Sequence, residues 1–175
     1  KAKGINERFR TFEATQDSFE AGKLSFSEYV ASLLGESQRV GIALTDHPNL
    51  RRMVTATQLE AEIDPARVSE EQRQAIERLR HHAPQHELGT LKALAEQLKA
   101  GQGEPAAFYQ KLESLMEDAR LNPPDFPHLT TYIRYVRLKA QLQLRALRAE
   151  LADAQRQVMR HLAGSSDEEE LISIA

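Results

Sequence analysis

Apolar residues recur at intervals of three and four along almost the whole chain, and strict alternation is nearly absent. That spacing matches the 3.6-residue turn of an α-helix, so it predicts an all-α fold of six to eight helices. Phe9, Phe12 and Phe19 lie on one face of a first helix, which Gly22 stops. Ser25 with Glu28 makes a capping box, and Leu24 with Tyr29 the accompanying hydrophobic staple. Phe26, Tyr29, Val30, Leu33 and Leu34 form the apolar stripe of this second helix, which runs to about Val40. Pro48 opens a third helix carrying Leu50, Val54 and Ala61 inward. A residue before proline is driven out of the α region, so Asp64-Pro65 ends or kinks that helix. Ser69, with Gln72 three residues on, restarts a helix through Ile76 and Leu79 to about His82. Residues 87–99 form the next helix. Pro105 opens another with Phe108, Leu112, Leu115, Met116 and Ala119 inward, and Asn122-Pro123-Pro124 is a break.

The last stripe is the longest. Leu129, Ile133, Val136, Ala140, Leu144, Leu147, Leu151, Ala154, Val158 and Leu162 advance by threes and fours with no Gly or Pro between Pro127 and Gly164. The pattern predicts one amphipathic helix, roughly 50 Å long at about 1.5 Å per residue, serving as a spine for the fold. Residues 164–175, with four consecutive acids at Asp167–Glu170, read as a flexible acidic tail.

Aligned with itself at an offset of 79 residues, the sequence repeats. Thr11/Thr90, Ala14/Ala93, Ala21/Ala100 and Gly22/Gly101 are identical, as are Pro48/Pro127, Leu50/Leu129, Leu59/Leu138 and Ala61/Ala140. Between these blocks a further shift of three residues would align Phe26 with Phe108, Ser32 with Ser114 and Leu33 with Leu115. The order helix, Gly stop, helix, proline-started helix occurs twice. A tandem duplication follows, with one helical unit over residues 5–83 and a second over 87–163 packed on it.

Composition removes several classes of chemistry. There is no Cys, which excludes disulfides, thiolate catalysis and Cys-ligated metals. The formal net charge of −3 gives no whole-chain attraction to nucleic acid or anionic lipid, so neither is expected as a partner. No apolar stretch reaches the length of a membrane span. Gly-rich phosphate loops, nucleophile elbows and helical metal-binding motifs are all missing, so no cofactor is expected. Cytosol and periplasm both suit a Cys-free chain, with the cytosol preferred. A start at Lys1 rather than Met suggests a segment of a longer protein.

Two constellations remain. His81, His82, His86 and Glu87 place three imidazoles and a carboxylate within seven residues, a weak metal-binding candidate because Pro84 interrupts the helix that would align them. On the outer side of the last stripe, Tyr132, Arg134, Tyr135, Arg137, Arg145 and Arg148 combine the residue types that interface hot spots favour. The sequence therefore points to a non-catalytic helical scaffold or protein-interaction module with a protein partner. A ligand-sensing helical bundle, for which an extracytoplasmic place is open, is the alternative. An enzyme or His-based metal protein with an unrecognised site is the third.

Overall fold

A side-chain cap or a proline in the first turn marks most of the helix starts. The computed structural model describes the backbone of residues 2–42 and 46–163 and the side chains of 7–42 and 46–163, so the expected tail at 164–175 lies outside the described residues. Within them the chain is all helical: α1 (Ala2–Glu20), α2 (Phe26–Arg39), α3 (Pro48–Glu62), α4 (Pro65–His82), α5 (Gln85–Lys99), α6 (Pro105–Asp118), α7 (Pro127–Ala140) and α8 (Leu144–Leu162). A single 3₁₀ turn, Pro123–Asp125, fills the break before α7. No strand occurs among the described residues.

The Ser25 capping box forms as read. Ser25 Oγ accepts from the Glu28 N–H at 3.2 Å, and the Ser25 N–H donates to Glu28 Oε2 at 2.8 Å. The Ser25 hydroxyl also donates to that carboxylate, and these two bonds hold the Glu28 carboxyl below its ordinary value. A depressed folded pKa means stability that is complete above the unfolded pKa and is lost as pH falls through the folded one. The penalty of Glu28→Gln in thermal melts should therefore be full at pH 7 and shrink as pH falls below the ordinary carboxylate range. A penalty that does not change with pH would show that the bond carries no ionic component.

α4 starts four residues earlier than expected, at Pro65 rather than Ser69. Asp64 is its N-cap, with Oδ1 accepting from the Ala66 and Arg67 N–H groups at 3.0 and 3.2 Å. Proline suits the first helical position because that N–H has no intrahelical acceptor to lose. The dipeptide that was expected to end α3 therefore also begins the next helix.

The long final helix is broken. α7 ends at Ala140, residues 141–143 turn, and α8 starts at Leu144. Neither Gly nor Pro marks the place. The turn is held by side chains from the start of α3: Asn49 Oδ1 accepts from the Gln143 N–H at 3.1 Å. Leu144, expected in the inner stripe, is 69% exposed at the first position of α8. The expected single spine is thus two helices with separate cores.

The chain forms two compact units, and they are not the 5–83 and 87–163 units that the repeat suggested. One comprises residues 1–54 with 142–175, and the other residues 55–141; the boundary falls inside α3, between Val54 and Thr55. The reason is visible in the cores. In the discontinuous unit, Phe9, Phe12, Val30, Leu33 and Leu50 are buried with Leu147, Ala154, Val158 and Leu162. In the continuous unit, Val68, Ala75 and Leu79 of α4 are buried with Leu91, Phe108, Leu112, Leu115, Phe126, Leu129 and Ile133. α4 therefore packs on the helices that follow it, and Ala83-Pro84 is a tight turn inside one unit rather than a linker between two.

Candidate functional site

A groove of the continuous unit lies between α4, α5 and α6. Leu88, Leu91 and Ala95 of α5 recur at helical spacing and so share one face, which meets Ile76 of α4 and Phe108 of α6. A cavity of about 670 Å³ opens above them. Gly89 of α5 borders it, and a Cβ built there meets nothing within 4 Å. Three cations border it, Arg80 from α4 with Lys92 and Lys99 from α5, and no carboxylate lines it. Arg80 pairs with Glu77 at 3.0 Å and Lys92 with Glu96 at 3.8 Å, both exposed pairs that a ligand can displace. Lys99 makes no ion pair among the described residues. The result is an apolar floor below a row of positive charge.

Near the other side of α6, three tyrosines stand in sequence. Tyr109 and Tyr132 meet edge-on at 5.0 Å between centroids, and Tyr132 and Tyr135 lie 6.0 Å apart. The Tyr109 hydroxyl donates to Gln72 and the Tyr135 hydroxyl to Glu60. Burial, with Tyr132 beside it, pushes the Tyr109 hydroxyl up to about 12. Burial and the Glu60 carboxylate do the same to Tyr135. Both hydroxyls stay protonated throughout the physiological range and act as donors.

The discontinuous unit holds a buried polar group that the sequence did not advertise. Glu150 of α8 accepts from Asn49 Nδ2 at 2.6 Å and from the Leu50 N–H at 2.9 Å. It thereby caps α3, whose own preceding residue, His47, has no oxygen to offer. The His47 ring is buried with Nε2 at 3.2 Å from Asp153 and Nδ1 without a partner among the described residues. Gln157 is the main cause that lowers the Asp153 carboxyl below its ordinary value, with His47 and Arg156 adding to it. Nothing in the sequence singles out His47 or Asn49, because their partners lie about a hundred positions away.

Among the proposed metal ligands, His81 faces Glu77 at 3.9 Å and His86 faces Glu87 at 3.7 Å, both on exposed surface. Glu87 instead pairs with Lys111, whose bond lowers its carboxyl pKa. Among the described residues, no three His, Asp or Glu side chains form a group that could hold a metal. The proposed basic–aromatic face is divided by the helix break. Tyr132, Arg134, Tyr135 and Arg137 belong to the continuous unit, whereas Arg145 and Arg148 belong to the other. Arg137 is engaged by Glu113 at 3.1 Å, while Arg134, Arg145 and Arg148 are exposed. Among the described residues no helix is long and apolar enough to cross a membrane. Comparisons with known protein families, curated proteins and solved structures find no match to the chain.

Proposed function

We propose that the chain is a non-catalytic helical interaction module whose contact surface is the cation-bordered groove of the continuous unit, and that its partner is a protein presenting an acidic amphipathic helix. The observation that carries the reading is the apolar floor of Ile76, Leu88, Leu91, Ala95 and Phe108 beneath Arg80, Lys92 and Lys99. Lys92 and Lys99 stand two turns apart on α5, about 10 Å along its axis. A single carboxylate cannot meet both, whereas acids repeated along a helix can, with its apolar side on the floor.

The test uses a fluorescein-labelled synthetic peptide with leucines at helical spacing and glutamates elsewhere, titrated into the full-length chain at two salt concentrations. Saturable binding that weakens with salt is expected. The double variant Lys92→Glu/Lys99→Glu should weaken it by about tenfold or more, since reversed charges repel the acids. Gly89→Phe, whose side chain enters open space, should fold normally and block the groove. Binding that ignores both variants, or stronger binding of single-stranded DNA, would sink the reading. Saturable binding of decanoate without the peptide would replace it with the ligand-sensing one.

A further inference from the structure

We infer that the chain is two copies of one four-helix unit that have exchanged their fourth helices. The copies run α1–α4 and α5–α8, and one offset relates all four helix pairs. α2 and α6 start at Phe26 and Pro105 and end at Arg39 and Asp118, α3 and α7 start at Pro48 and Pro127, and α4 and α8 start at Pro65 and Leu144, each 79 residues apart. α1 and α5 end at Glu20 and Lys99, the same distance apart. The extra shift of three residues expected between α2 and α6 is therefore absent, and Tyr29, not Phe26, is the counterpart of Phe108.

Three further agreements do not follow from helical periodicity alone. First, the residues with positive φ pair off at the same offset: Gly22 at 70° with Gly101 at 69°, and Gly41 at 75° with Arg120 at 54°. Second, burial repeats at Phe12/Leu91, Tyr29/Phe108, Leu33/Leu112, His47/Phe126, Leu50/Leu129, Val68/Leu147, Ala75/Ala154 and Leu79/Val158. Third, the same carboxylate caps the same helix. Glu150 accepts from the Leu50 N–H at 2.9 Å, and Glu71, its counterpart, accepts from the Leu129 N–H at 2.8 Å.

The third agreement also reveals the exchange. Glu71 belongs to the copy that contains Leu50, yet it caps Leu129 of the other copy; Glu150 does the converse. The compact units agree, because α8 packs on α1 and α2 and bonds to the start of α3, while α4 packs on α5–α7. Each unit thus takes its closing helix from the other copy, and α3 is divided at the boundary.

The exchange is tested on the full-length chain by thermal melts of a double-mutant cycle. Asn49→Ala and Glu150→Ala should be non-additive by about 2–4 °C, because they break one shared bond. Asn49→Ala and Glu71→Ala should add. Coupling of Asn49 to Glu71, or to neither, overturns the exchange. Equivalence of the copies is read separately from reciprocal substitutions at the paired positions 47 and 126. His47→Phe installs the ring that the other copy already buries and removes an unpartnered ring nitrogen, so its melting point should stay within about 4 °C of the parent or rise. Phe126→His buries an imidazole where Gln74 stands in place of Asp153, and should lower the melting point by more than that. The reverse order of the two effects overturns the duplication.

Discussion

Phe126→Ala is expected to destabilise the continuous unit by about 3–5 kcal/mol, the range for emptying a buried aromatic site. Phe126 is 0% exposed and packs in the core formed by Leu79, Leu112, Leu115 and Leu129. The Arg78 guanidinium lies 5.0 Å from its ring centroid, which adds a cation–π contact on the one polar side. Its backbone sits where the 3₁₀ turn hands over to α7: the Phe126 N–H donates to Pro123, and its carbonyl accepts from Thr130. Alanine keeps these backbone bonds but leaves a ring-sized void at the helix start. Because domains of this size are stable by only about 5–15 kcal/mol, urea unfolding should register the change as a large loss. A cost below about 1 kcal/mol would mean that the site collapses and that the ring is not a core residue.

The second large effect belongs to the discontinuous unit. Leu147→Ala should cost about 2–5 kcal/mol, because Leu147 is buried among Phe9, Phe12, Leu50, Ala154 and Val158. Arg148→Ala, one residue on and exposed, should change stability by less than about 0.5 kcal/mol. Chemical denaturation of the two variants side by side decides the matter. Equal costs would mean that the inner and outer faces of α8 have been assigned wrongly.

What could be read from the sequence was whatever chemistry acts between near neighbours. The Ser25 capping box, the proline starts of α3, α6 and α7 and the glycine stops after α1 and α5 all depend on partners within a few residues. The all-α class followed from the same local signals. The break at residues 141–143 was hidden because its cause is distant: Asn49 holds the Gln143 N–H, and Glu150 anchors α8 on the start of α3. Local propensity favoured a continuous helix, and these tertiary bonds overrode it. A letter match is also a poor guide to register: at the offset of the proposed duplication the buried Tyr29 and Leu33 stand opposite the buried Phe108 and Leu112, whereas the pairs with identical letters are Phe26/Phe108 and Leu33/Leu115. The groove was half legible. Phe108 read as inward-facing, yet the open space beside it depends on how α4, α5 and α6 pack together, which a hydrophobic pattern does not record.

The division of the chain into one continuous and one discontinuous unit bears on its synthesis. Everything needed for residues 55–141 leaves the ribosome as one stretch, whereas α1, α2 and the start of α3 must wait for α8. At about 5–20 residues per second the wait is roughly 5–22 s. During that time the apolar faces carrying Phe9, Phe12, Val30, Leu33 and Leu50 have no closing helix. Chains truncated after Gln141 and released should thus carry a protease-resistant segment over residues 55–141 and a protease-sensitive N-terminal part that engages chaperones. Its protection should arrive only with Leu147, Ala154 and Val158. α8, translated after the whole of the continuous unit, completes the discontinuous one.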